Sequence, residues 1–174
     1  MTAPIEIDVW QGEIAELEVD ALIVGANESL FMTSGAAASV KRHGGEEIER
    51  AAVDQGPIEP GRAVATTGGS LAAPYVIHAV AVGHDRIADS DRLRTALRSA
   101  LALCAPLQLH RVAIAPLGAE HGTFPIEQAA ELLVSTLVDE GTSHGLESVV
   151  IATAHAGDTR AVGDALARER ARVG

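Results

Sequence analysis

Aromatic residues are nearly absent from this chain: two Phe, one Tyr and one Trp among 174 residues. Stacked rings cannot build its core, so Ala, Val, Leu and Ile must fill it. Hydrophobic residues still make up 47% of the chain, enough for a single domain over residues 1–174. Cysteine occurs once, as Cys104, which excludes an internal disulfide and fits a reducing compartment. Basic residues are outnumbered: 13 Lys and Arg against 24 Asp and Glu give a net charge of −11. That balance leaves no basic footprint for direct nucleic-acid binding or for an anionic membrane. No apolar run approaches the roughly 18–20 residues that span a bilayer. No basic-then-apolar N-terminal segment marks a secretory signal, so a cytoplasmic location is expected.

Several chemistries lack their sequence marks. There is no Gly-x-Ser-x-Gly elbow for a serine hydrolase. Neither a Gly-x-x-x-x-Gly-Lys-Ser/Thr phosphate loop nor a Gly-x-Gly-x-x-Gly dinucleotide turn occurs. The seven histidines form no ligand spacing, and Cys104 has no partner thiol, so no metal site and no cofactor are expected.

What is present is alternation of strand and helix signals without an internal repeat. Strands are expected at residues 5–10, 21–24, 63–67, 75–82, 111–115 and 148–153, from period-two or short buried apolar patterns. Helices are expected at 36–43, 46–55, 91–104, 126–139 and 158–172. In the third of these, Leu93, Leu97, Leu101 and Cys104 share one stripe. Asp158 and Thr159 read as N-caps of the last helix. The pattern implies an α/β fold, one mixed sheet with helices on both faces. Ligands in such folds lie beyond the carboxyl ends of the central strands.

Two small-residue turns leave such strand ends. The first runs from Gly25-Ala26-Asn27 to a helix start at Gly35-Ala36-Ala37. Its main-chain N–H groups and helix dipole suit a phosphate, and need no Lys or Arg. The second reads Leu117-Gly118-Ala119-Glu120-His121-Gly122-Thr123-Phe124. If the parent strands are neighbours, both turns flank one cleft. Asn27 is either a turn residue bonded to its own backbone or a ligand contact. His78 reads as a satisfied core or edge histidine. His121 and Glu120 are solvated loop residues or face the cleft. Phe124 packs in the core or against a flat ligand.

Together these landmarks resemble the macrodomain, an ADP-ribose-binding module, over nearly the whole chain. Gln11-Gly12-Glu13-Ile14 resembles the Gly-Asp-Ile turn of that family. The segment from Val19 through Ala21, Val24 and Gly25 to Asn27 resembles its Val-Asp-Ala-Ile-Val-Asn-Ala-Ala-Asn strand and loop. Lys41-Arg42-His43-Gly44-Gly45, Pro74-Tyr75-Val76-Ile77-His78-Ala79-Val80 and Ile114-Ala115-Pro116-Leu117-Gly118 match further family stretches in order. The resemblance implies a three-layer α/β/α fold and a ligand of the ADP-ribose class, free or on a modified protein. It places Glu13 and Ile14 at the adenine, and Asn27 at the distal ribose. Gly35, Ala36, Ala37 and residues Gly118, Ala119, Glu120, His121, Gly122 and Thr123 fall around the diphosphate, with Phe124 packing on the ligand.

The chain also departs from the family pattern. The first loop asparagine falls at Val24. Where the hydrolytic branch has an aspartate, ten residues after Asn27, stands Ala37. The second loop is one residue shorter than usual, and Glu120 replaces a glycine. A carboxylate about 4 Å from a phosphate charge costs roughly 1 kcal/mol in a watery cleft and about 4 kcal/mol at a typical surface dielectric. Three functions stay open at this stage. One is a binding module. Another is a hydrolase that uses Glu120 or His121. The third is a scaffold whose pocket has drifted to another ligand or a protein partner.

Overall fold

The computed structural model describes residues 3–119 and 124–174. Glu120, His121, Gly122 and Thr123 therefore lie outside the described residues. Six strands form one sheet: β1 (Glu6–Gln11), β2 (Ala21–Asn27), β3 (Ala63–Thr67), β4 (Tyr75–Val82), β5 (Arg111–Ile114) and β6 (Ser148–Thr153). Five helices complete the fold: α1 (Gly35–Gly44), α2 (Glu46–Val53), α3 (Ser90–Ala102), α4 (Ile126–Glu140) and α5 (Ala156–Val173). Short 3-10 turns at Ile14–Glu16 and Thr142–His144 complete the regular structure of these residues.

The strand order is β1-β6-β5-β2-β4-β3. All neighbours run parallel except β3, which pairs antiparallel with β4 at one edge. The sheet is mixed, as expected. Its central strands are buried on both faces, so their apolar residues sort by parity rather than alternating with polar ones. Ala21 and Ile23 of β2 face a core shared with α3, α4 and α5, while Leu22 and Val24 face a second core under α1 and α2. In β5, Val112 and Ile114 take the first side and Ala113 the second. The result is three layers with two large cores and a small third cluster of Leu30, Ala52 and Val80, with almost no rings among them.

The helix stripes read from sequence are the buried ones. Leu93, Leu97, Leu101 and Cys104 are all fully buried, as are Leu133 and Leu137 of α4. The Cys104 Sγ lies 3.7 Å from Ala100 O, and burial pushes its thiol up to about 12. It is a small core hydrophobe, not a thiolate. One local expectation fails. α5 starts at Ala156 with His155 as its N-cap, ahead of Asp158 and Thr159. The Thr159 hydroxyl is instead engaged with Thr153 Oγ1 at 2.6 Å and His155 O at 3.0 Å.

Edge strand β1 is braced by α5, whose Arg170 guanidinium donates to Ile7 O at 3.0 Å. At the other end of the chain's topology, Asp20 joins two strand starts. Its Oδ2 accepts from the His110 and Arg111 N–H groups at 2.8 and 2.9 Å, and its own N–H donates to Arg111 O. β2 and β5 are thus locked side by side, so both leave the sheet at one point.

Candidate functional site

β2 carries Gly25, Ala26 and Asn27 at its carboxyl end. The Asn27 Nδ2 donates to Phe31 O at 3.1 Å, and Oδ1 accepts from the Ser29 N–H at 3.0 Å. The amide therefore builds its own turn. It has a second N–H and a second acceptor lone pair for a ligand, because a carboxamide carries two of each. The following loop is pinned from below. Leu30 is buried at φ +66 against Ala52 and Val80. The Met32 N–H donates to Glu49 Oε2 at 2.6 Å, and Lys41 Nζ pairs with Glu49 Oε1 at 2.8 Å. Desolvation works against the Glu49 charge, but the Lys41 and Met32 bonds outweigh it and hold its carboxyl below the usual range.

Gly35 then opens α1 at φ +59, a left-handed conformation that glycine adopts without a Cβ clash. From β5, Leu117 and Gly118 turn outward beside it. Gly118 has φ +85, and a Cβ there would sit 2.7 Å from Leu93 Cδ2. The chain can pass over α3 at that point only as glycine.

The two turns flank a divided crevice. The larger part, about 690 Å³, is lined by Asn27, Ser34, Ala37 and Gly118 and also by Gly83, His84 and Arg86, which follow β4. The smaller part, about 380 Å³, is lined by Glu13, Ile14, Gly35, Ala36, Ala119 and His155. Neighbouring residues of the same turns line both: Ser34 and Ala37 the larger, Gly35 and Ala36 the smaller, with Gly118 in one and Ala119 in the other. Both sizes fall in the range of small-molecule sites.

The electrostatics of the two parts differ. In the larger one, His84 and Arg86 are the ionisable side chains among its described lining residues, in a chain of net charge −11. Ala37 lines this part with a methyl group and is 6% exposed. In the smaller one, Glu13 is half-exposed and held in place. Ser39 Oγ donates a short bond to Glu13 Oε2, and the Arg42 guanidinium stands 3.7 Å from Oε1. A carboxylate oriented in this way accepts from an amino group.

The structure thus brings Glu13, Ile14, Asn27, Gly35, Ala36, Ala37, Gly118 and Ala119 together around one divided crevice. Phe124 is 7% exposed and packs within the core on the α3–α5 side. Val24 is fully buried under α1. His78 is 1% exposed, with its Nε2 2.9 Å from Thr66 Oγ1, a satisfied core histidine. Among the described residues, no group of three His, Cys, Asp or Glu is placed to hold a metal ion. None of their helices is long and apolar enough to cross a membrane.

Sequence reasoning missed the wall formed by Gly83, His84 and Arg86, and the contribution of His155 and Asp158. The strand-end rule applied to β4 and β6 would have found both.

The Macro domain family model matches residues 23–133. An uncharacterized protein of Aquifex aeolicus is 39% identical over 134 residues, covering 76% of this chain and 81% of that protein. An uncharacterized protein of Mycobacterium tuberculosis is 34% identical over 133 residues, and there the match covers 76% of this chain but only 37% of the longer relative. The Trypanosoma brucei macrodomain in complex with ADP-ribose superposes with a TM-score of 0.83 at 22% identity, covering 91% of this chain and 68% of that one. The strand order, the paired turns and these matches agree: the chain belongs to the macro domain family.

Proposed function

We propose that the chain binds ADP-ribose, with the nucleotide lying across both parts of the crevice. The observation that carries this reading is the pair of turns on neighbouring strands β2 and β5, whose described residues Gly35, Ala36, Ala37, Gly118 and Ala119 line both parts of the crevice with small side chains. A pyrophosphate is the ligand such a crevice suits. The Glu13 carboxylate, oriented by Ser39 and Arg42, accepts from the adenine amino group beside Ile14. The first turn of α1 and the Gly118-Ala119 turn hold the diphosphate. Asn27 meets the distal ribose, above the Ala37 methyl. The ADP-ribose complex of the Trypanosoma brucei macrodomain, which shares the fold, supports the ligand class.

The reading is one of binding, because the described crevice offers Ala37 where a carboxylate would activate water. Calorimetric titration with ADP-ribose tests it. Ligand at 100-fold over its dissociation constant adds about 2.7 kcal/mol of stability, worth roughly 5–10 °C in Tm for this size. Asn27→Ala weakens binding by about tenfold if one amide contact is lost. No heat and no Tm shift at millimolar ADP-ribose would overturn the proposal.

A further inference from the structure

Sheet order gives each piece of a bound nucleotide its own strand. Strands β1, β6, β5 and β2 lie side by side in that order and run parallel, so their carboxyl ends share one side. Glu13 and Ile14 follow β1, and the Gly118-Ala119 turn follows β5. β6 stands between those two strands, about 4.8 Å from each. With adenine at the β1 end and the diphosphate at the β5 and β2 turns, the sugar that joins them lies over the end of β6.

The described residues there are Thr153, Ala154, His155 and Asp158, all lining the smaller part of the crevice. Most of the surrounding wall has no polar side chain to spare. Ala115, Pro116, Ile126 and Ala152 line the same part and carry neither donor nor acceptor in their side chains. Thr153 is 3% exposed, and its Oγ1 lies 2.6 Å from Thr159 Oγ1, which donates to His155 O at 3.0 Å. That hydroxyl is spent inside the fold, where it fixes the first turn of α5. Glu13 is already engaged with Ser39 and Arg42. Asp158, in the same first turn of α5, is half-buried. Its carboxylate has no hydrogen-bond or ion-pair partner among the described residues.

A carboxylate only accepts, through two oxygens, whereas a ribose 2′,3′-diol offers two donors side by side. In doubly wound folds an acid in this situation takes the adenosine ribose hydroxyls, and an arginine takes its place where a 2′-phosphate must be bound. Arg42 is the one arginine among the described residues lining this part, and it faces Glu13. Resting on the ADP-ribose reading above, we infer that Asp158 is a specificity-determining residue. It accepts from the diol of the adenosine ribose and rejects a nucleotide phosphorylated at its 2′ position. The rejection is like-charge repulsion at close range.

The test is calorimetric titration of the full chain with three ligands. These are ADP-ribose, its analogue with a 2′-phosphate on the adenosine ribose, and its analogue with a 2′-deoxyadenosine. The 2′-phosphorylated ligand is expected to bind about thirtyfold weaker than ADP-ribose, and the deoxy ligand about fivefold weaker. Asp158→Asn weakens ADP-ribose about threefold and narrows the phosphate gap to within about fivefold. Asp158→Glu, which keeps the charge, retains a gap of about tenfold or more. Asp158 also complements the α5 dipole, so the ratio between ligands is the readout, which a purely structural role does not move. Equal or tighter binding of the 2′-phosphorylated ligand overturns the inference alone, as does an undiminished gap in Asp158→Asn. Absence of any binding by ADP-ribose overturns the nucleotide reading as well.

Discussion

His78 shows how a single residue can record its surroundings. It lies at the middle of β4, opposite Val64 of β3 and beside Val24 of β2. Its hydroxyl partner Thr66 satisfies one nitrogen, and burial pushes the imidazole from 6.5 down to about 4. The unfolded chain takes up a proton near the ordinary value, while the native one resists it. Stability from this residue is therefore complete above pH 6.5 and is lost as pH falls towards about 4, where it levels off. The whole effect is about 3 kcal/mol. Denaturant unfolding at pH 7.5 and 4.5 should show that loss, and His78→Gln should flatten it. An unaltered slope in the variant would assign the acid sensitivity elsewhere. The core role of His78 was legible because apolar residues surround it in a strand. The role of Asn27 was not, since its amide builds its own turn and still carries a second N–H and a second lone pair.

Among elements, the contact between the β5 turn and α3 is the least tolerant. Gly118 crosses Leu93 with no room for a Cβ and at φ +85. Gly118→Ala should cost about 2–3 kcal/mol through left-handed strain and displacement of Leu93, a fall of roughly 5–10 °C in Tm. A Tm within 2 °C of the parent would mean that the turn shifts at little cost. Element positions were legible where period or stripe was strong, as in α3 and β2. The start of α5 was not. Asp158 and Thr159 are the better cap types, but Thr159 is used against Thr153, and the helix begins straight after β6. Tertiary contacts overrode local chemistry there. The wall at His84 and Arg86 had no periodicity to reveal it; its one signal was its place at the end of β4, which lies beside β2.

At the scale of the whole molecule, strand order could not be read from the chain, because adjacency of β2 and β5 joins residues about ninety positions apart. Asp20 enforces that adjacency through its bonds to His110 and Arg111. Desolvation opposes its charge, but the two main-chain N–H groups and the nearby cations hold its carboxyl below the ordinary range. The clamp is intact above the usual aspartate range and is lost as pH falls through the depressed value. Asp20→Ala should lower stability by about 1–3 kcal/mol and bring ADP-ribose affinity down with it, because the two turns lose their common footing. Unchanged unfolding free energy in this variant would remove the clamp from the account.

Sideways growth is a hazard for any open sheet, since unpaired carbonyls at a border strand invite a strand from another molecule. In β1 the Ile7 carbonyl is already occupied by the Arg170 guanidinium, reaching over from the closing helix. A foreign strand arriving at this border would have to evict a cation before it could zip on. The last turns of α5 thus act as a stopper for the sheet as well as a cover for its core.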